Sequence, residues 1–150
     1  MNIINKNILP TTYMEYISDQ VTLVDAVNKS YTLSHKIHNF KTEQGMIYCG
    51  INAFKNIVNN DFGDDMFILY YIDIYEQFRG QHIFSNLLRH IATNDDINVI
   101  SICGVGSRKL TDILNKFRIN NIGFICQGGD YSWFRTTDRQ RKFLSYQGRI

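Results

Sequence analysis

The chain has 150 residues, a formal net charge of +2, 44% hydrophobic and 13% aromatic side chains. This composition excludes intrinsic disorder for most of the chain, and the length suits a single domain that spans residues 1–150. No apolar run reaches the roughly 18 residues of a membrane helix, and the first residues lack the apolar stretch of a secretory signal. We therefore expect a cytoplasmic protein, whose small net charge does not favour a nucleic-acid partner.

The N-terminal part, residues 1–45, has the weakest local pattern. Residues 21–40 mix helix-favouring with strand-favouring side chains, and either Asp19 or Asp25 is a candidate helix cap. Residues 46–54 alternate loosely in polarity, which is typical of a strand. The three cysteines of the chain form no Cys-x-x-Cys pair, and no metal site is predicted.

The middle of the chain has clearer patterns. Residues 66–75 are β-branched, aromatic and apolar on both faces, which predicts a central strand. After a polar loop, residues 82–91 carry apolar side chains at helical spacing. Residues 97–105 predict a second central strand, and Ser107 is placed to cap a helix that runs to about Arg118. A strand–helix–strand unit of this kind predicts an α/β fold with a parallel strand pair.

The C-terminal part predicts a hairpin and a basic tail. An Asn-Asn pair at 120–121 is expected to break the preceding helix, and strands at 124–127 and 131–135 flank a Gly-Gly turn at 128–129. Residues 136–150 carry an excess of basic side chains, which predicts a solvated basic helix or arm. Contact of this tail with an acidic partner or nucleic acid is the alternative.

The polar loop between the first central strand and its helix has the properties of a phosphate-binding turn. The first free N–H groups of the helix would point into the loop, with the positive end of the helix dipole behind them. Gly80 would let a ligand approach the backbone closely, and Arg79 adds positive charge. A turn with a purely structural role is the alternative.

This segment resembles the GNAT superfamily of acyl-CoA-dependent N-acyltransferases. In that family the fourth strand runs into a pyrophosphate loop of pattern Gln/Arg-x-x-Gly-x-Gly/Ala, and this chain reads Gln-Phe-Arg-Gly-Gln-His over residues 77–82. Ile83, Leu87 and Leu88 occupy the apolar positions of the family's next helix. A Gly-Phe pair at 123–124 matches the start of the family's sixth strand.

The resemblance covers residues 46–135 and implies a fold, a co-substrate and a binding site. The fold would be a GNAT-like α/β (mixed α+β) domain whose mixed, twisted sheet splays between its fourth and fifth strands. Acetyl-CoA would be the co-substrate, with its pantetheine arm bound by strand backbone and its pyrophosphate by loop N–H groups. The implied cofactor-binding residues are Ile72, Ile74, Gln77, Phe78, Arg79, Gly80, Gln81 and His82.

Three residues depart from the family pattern. His82 replaces the second small residue of the loop, where its side chain would either crowd the pyrophosphate or donate a hydrogen bond to it. Phe84 stands where the family usually has glycine. Ile119 stands four residues before the glycine of the Gly-Phe pair, where the family often has a tyrosine as general acid.

The candidate catalytic residues are Asp73 and Tyr131. Attack on a thioester needs a neutral amine, so a base or a water relay is expected. Asp73 is the acidic residue inside the fourth strand, and local hydrogen bonding at a strand end is its alternative role. Tyr131 is a candidate general acid, and a packing role as a half-buried aromatic residue is the alternative. Cys103 and Cys126 have no neighbouring base in the sequence, so direct transfer is preferred over an acyl-enzyme.

Two hypotheses of different classes follow. The first is an N-acetyltransferase that moves the acetyl group of acetyl-CoA directly to a primary amine of a protein or small molecule. The second is a catalytically inactive GNAT-like fold that acts as a binding or structural protein, such as a phage or viral component. The resemblance also leaves open a homodimer in which the last strand is exchanged between subunits.

Overall fold

The computed structural model describes residues 12–33, 36–51 and 66–146. The strands are β1 (Thr12–Gln20), β2 (Ile37–Thr42), β3 (Gly45–Ile51), β4 (Met66–Ile74), β5 (Val99–Ile102), β6 (Arg118–Ile119), β7 (Ile122–Gly123), β8 (Ile125–Gln127) and β9 (Asp130–Phe134). The helices are α1 (Leu23–Tyr31), α2 (Ile83–Ala92), α3 (Arg108–Lys116) and α4 (Thr137–Tyr146), and a 3-10 turn covers Glu76–Phe78. The strand prediction for residues 52–54 lies outside the described residues.

Seven of the strands form one mixed sheet in the order β1-β2-β3-β4-β5-β9-β8. Strand β4 lies at its centre, antiparallel to β3 and parallel to β5. Strands β6 and β7 form a separate small hairpin. The predicted α/β class, with a mixed sheet and a parallel pair of central strands, is therefore confirmed.

Helices lie against both faces of this sheet. Side chains of α1 and α2 belong to the main apolar cluster on one face, together with the fully buried Trp133. Phe134 points to the opposite face because neighbouring strand residues alternate, and there its ring meets Phe143 of α4 at 4.9 Å between centroids. Within the described ranges, no helix has the length and apolar character required to cross a bilayer.

The N-cap residue of helix α1 is Thr22, and neither of the two predicted aspartates occupies that position. The Thr22 hydroxyl accepts a hydrogen bond from the Asp25 N–H at 3.0 Å, and the Asp25 carboxylate accepts one from the Thr22 N–H at 3.1 Å. This reciprocal capping box satisfies two N–H groups at the helix start. Asp25 thus serves as the third helical residue, and Asp19 lies within β1.

A β-bulge bends β4 at the point where β5 leaves it. Tyr48 of β3 pairs with Tyr71 and Cys49 pairs with Leu69, so Tyr70 is an extra residue in β4. The pairing of β4 with β5 ends at Leu69, apart from one further bond from the Cys103 N–H to the Leu69 carbonyl at 2.9 Å. A bulge bends its strand and increases the local twist, and β4 and β5 therefore splay apart beyond it, as predicted.

Strand β5 and helix α3 are both shorter than the sequence patterns predicted. The regular pairing of β5 with β4 and β9 ends at Ile102, and β5 therefore ends there although residues 103–105 remain largely apolar. Helix α3 ends at Lys116. The Asn-Asn pair does not break the helix; it forms the turn between β6 and β7, with φ of 55° and 65° in the left-handed region that asparagine tolerates.

Candidate functional site

The splay of β4 and β5 opens a cleft with a volume of about 600 Å³, within the size range of ligand sites. One wall is the last part of β4, the loop after it and the first turn of α2. The other wall is the first two turns of α3 and Ser107 before them. Six of the eight predicted cofactor residues line this cleft, while Gln77 and Gln81 do not. The Gln81 side chain instead donates to the Gln77 carbonyl at 3.2 Å, which braces the loop.

The end of β4 turns backbone groups toward the cleft. The Tyr75 N–H bonds to the Gln44 carbonyl on the β3 side at 2.9 Å, so the Ile74 carbonyl, which points the opposite way along the strand, faces the cleft. Because strand residues alternate in the direction of their backbone groups, Ile72 and the Ile74 N–H face the cleft as well. This edge can pair with an extended amide-bearing chain.

The loop after β4 offers N–H groups at the mouth of the cleft. Gly80 has a φ of +80°, which allows the chain to turn into α2. A Cβ atom at Gly80 would have no atom within 4 Å, so the space in front of the loop is open. His82 is the N-cap residue of α2 and makes no side-chain cap, so the first-turn N–H groups of the helix remain available to an anion.

The loop pattern predicted that Arg79 would offer its charge to a ligand, but in the structure its guanidinium is bound to other groups of the protein. Its Nε donates to the Ile74 carbonyl at 2.7 Å, and its guanidinium pairs with the Asp73 carboxylate at 3.3 Å. The guanidinium therefore closes the end of β4 and occupies one of the backbone groups proposed for the cofactor. Both side chains are about half-exposed, so the ion pair itself contributes little to stability.

His82 takes a backbone conformation that usually requires glycine. Its φ is 60° and its ψ is 25°, in the left-handed region, where a side chain costs about 1 kcal/mol or more. Glycine adopts this conformation without strain, so the loop carries a side chain at a position where glycine would fit the backbone better. The exposed His82 side chain lines the cleft beside the free N–H groups.

Replacing His82 with glycine is expected to stabilise the protein, because glycine adopts this conformation without strain. The gain in the free energy of unfolding should be about 0.5 kcal/mol after the larger entropy of the unfolded glycine chain is subtracted. Urea unfolding followed by circular dichroism would measure it. Ser85→Gly is the matched control, since it places glycine in the regular first turn of α2 and should destabilise by a similar amount. A loss of stability in His82→Gly would contradict the strain.

Phe84 and Ile119, the other departures from the family pattern, both lie in the core. Phe84 is buried and forms part of the cleft floor. Ile119 is buried in β6, and its carbonyl accepts a hydrogen bond from the Trp133 indole N–H at 3.2 Å. The position that often carries the family's acid is thus an apolar packing position in this chain.

The two candidate catalytic residues occupy different places. Asp73 lines the cleft, where its carboxylate is paired with Arg79. Tyr131 is buried in β9 outside the cleft lining, and its hydroxyl donates to the Asn115 side chain of α3 at 3.2 Å. Interaction with the Cys126 thiol, together with burial, raises the pKa of Tyr131. The structure therefore brings Asp73, and not Tyr131, to the cleft.

Cys103 lies beside the splay but is a poor nucleophile. It follows β5 and is half-buried, and burial raises the pKa of its thiol, with the Asp130 carboxylate adding to the effect. A raised pKa disfavours the reactive thiolate. In the part of the chain that the structure describes, no cluster of three or more metal-ligating side chains occurs either.

The sequence patterns missed Ser85, in the first turn of α2, and two polar residues of the opposite wall of the cleft. Ser107 was expected as a helix cap, and its hydroxyl does accept from the Leu110 N–H at 3.4 Å, but it also lines the cleft. Lys109, in the first turn of α3, lines the same wall. Ser107 and Lys109 lie opposite the β4 loop because the chain crosses from β4 through α2 to β5. No local pattern in the sequence predicts this placement.

Comparisons with known proteins found similarity in structure but not in sequence family. No protein-family model matches the chain, and no curated protein sequence matches it significantly. A crystal structure of an acetyltransferase from Thermus thermophilus is similar over 62% of this chain and 56% of its own, with 11% sequence identity and a TM-score of 0.42. The match thus spans little more than half of that acetyltransferase. What the cleft can bind follows from its own residues.

Proposed function

We propose that this chain is an acyltransferase that binds acyl-CoA in the cleft between β4 and β5 and transfers the acyl group, in the simplest case acetyl, to a primary amine. The observation that carries the proposal is that the edge of β4, where the Ile72 backbone and the Ile74 N–H face the cleft, lies in the same cleft as a helix N-terminus. The strand edge suits the amide-bearing pantetheine arm, and the helix N-terminus suits the pyrophosphate. The cleft volume and the open space before Gly80 fit such a ligand.

In the proposed reaction the amine nitrogen attacks the thioester carbonyl, the carbon–sulfur bond breaks and CoA leaves as the thiol after it takes up a proton. The proton lost by the amine passes to Asp73 or to water. A direct transfer is favoured because the raised pKa of Cys103 disfavours an acyl-enzyme. Catalysis would consist mainly of positioning the amine against the thioester.

Calorimetric titration of the purified protein with acetyl-CoA tests this proposal. We expect one-to-one binding with a micromolar dissociation constant, and similar binding of desulfo-CoA, since neither the strand edge nor the loop contacts the sulfur. Release of free CoA thiol in the presence of primary amines would then measure transfer.

Absence of binding at millimolar acetyl-CoA would contradict the proposal. Binding without turnover against a broad set of amines would favour the second hypothesis, a catalytically inactive GNAT-like fold that binds CoA but does not transfer the acyl group. Two observations favour this second function: Arg79 pairs with the Asp73 carboxylate, and Tyr131 lies outside the cleft lining.

A further inference from the structure

Lys109 places a positive charge on the wall of the cleft opposite the β4 loop. It lies in the first turn of α3, directly after the Ser107 cap, and its side chain is exposed. The first turns of both helices that border the cleft thus contribute to its lining. A lysine side chain reaches several ångströms from its backbone and carries a compact ammonium with three donors.

The charges of the cleft favour an anionic ligand. Its basic lining residues are Arg79, His82 and Lys109, and its acidic lining residue is Asp73. Arg79 and Asp73 pair with each other, which removes both from the balance. Lys109 makes no hydrogen bond or ion pair with any residue in the described ranges, and its charge is therefore left for a ligand.

We infer that Lys109 binds a phosphate group of the CoA donor from the α3 wall, opposite the N–H groups of the β4 loop. This inference rests on the proposed function and adds a second contact to the phosphates. Arg79, the basic residue of the loop itself, is held by the Ile74 carbonyl, and Lys109 supplies the cation that the loop does not. The phosphates are thereby held between two walls that come from separate helices.

One consequence is that part of the affinity for CoA depends on the salt concentration. The Lys109 ammonium is exposed and attracts phosphate through a long-range electrostatic interaction, which salt screens. The N–H groups of the loop instead need close contact with the phosphate. The affinity for CoA should therefore contain a salt-sensitive part that belongs to Lys109.

Titration of CoA into the wild type, Lys109→Ala and Lys109→Arg at increasing sodium chloride tests the inference. At low salt the alanine variant should bind CoA about tenfold more weakly, the effect of one lost charge-assisted contact. The difference should shrink as salt rises, because screening removes the same contribution from the wild type. The arginine variant should bind nearly as tightly as the wild type, since it keeps the charge.

Lys116→Ala is the matched control, since Lys116 is an exposed lysine at the end of the same helix and does not line the cleft. It should leave CoA affinity unchanged. Equal affinity of Lys109→Ala and wild type, or a loss that is the same at every salt concentration, would overturn the inference while leaving the proposed function intact. Failure of the wild type to bind CoA at all would instead remove the proposed function, and this inference with it.

Discussion

Arg135→Ala is expected to lower the free energy of unfolding by about 3 kcal/mol, the largest stability effect that we predict for a single side chain. The half-buried guanidinium donates to the carbonyls of Ala92 at 2.8 Å, Asn94 at 3.1 Å and Ile97 at 2.7 Å and 2.9 Å. These carbonyls belong to the end of α2 and the segment that leads into β5. Removal of the side chain would leave them without that donor, and would also remove the cation that lies 5.3 Å from the Trp133 ring centre.

Guanidinium chloride unfolding, followed by far-ultraviolet circular dichroism, would measure this loss. Fluorescence of Trp133 is a less suitable signal in this series because the substitution changes the surroundings of that ring. Arg135→Lys keeps the charge but cannot span three carbonyls, and it should recover less than half of the loss. Arg141→Ala removes an exposed arginine that pairs with Asp138 and should change stability by no more than about 0.5 kcal/mol. Equal stability of the Arg135 and Arg141 variants would contradict this account.

Gly80→Glu is expected to weaken acetyl-CoA binding at least about 100-fold, because it places a carboxylate where the phosphates are proposed to lie. The open space around Gly80 means that the new side chain would not clash with the protein. Its φ of +80° adds a backbone strain of about 1 kcal/mol, which should appear in unfolding experiments.

Gly80→Gln separates charge from shape in this experiment. Glutamine has the size of glutamate and suffers the same backbone strain, so the difference in dissociation constant between the two variants isolates the repulsion. We expect the glutamine variant to bind at least about tenfold more tightly than the glutamate variant. Unchanged binding by Gly80→Glu, with a folded protein by circular dichroism, would show that the cofactor does not occupy the mouth of this cleft.

The part of the fold that could be predicted from the sequence is the part in which local pattern and tertiary environment agree. The apolar run of β4, the helical spacing of α2 and the Ser107 cap each carry their signal within a few residues. The Gly-Gly hairpin between β8 and β9 follows for the same reason. These elements were placed within a few residues of their observed ends, and they include the ones that build the cleft.

The details of the site depend on contacts between segments, which a local pattern does not contain. Whether Arg79 faces a ligand or turns back to the Ile74 carbonyl is decided by the geometry of the strand end. The place of Lys109 in the cleft depends on the crossover between β4 and β5, and the donor role of Arg135 joins residues about forty positions apart in sequence. The threonine cap of α1 was missed although its signal, Thr-x-x-Asp, is local, because β-branched residues in that helix obscured its start.

The extra residue in β4 has a consequence for how this gene product could tolerate changes in length. A single-residue deletion in a central strand ordinarily turns every following side chain to the wrong face. Tyr70 is an exception, because Tyr71 already pairs with Tyr48 and the residues after it already have their partners in β3. A chain that lacks Tyr70 would keep its core and its β3–β4 pairing, and would lose the bend that separates β4 from β5. Such a shortened chain would fold to the same sheet with the cleft narrowed or closed. Deletion of this one residue would therefore remove the ligand site and preserve the fold.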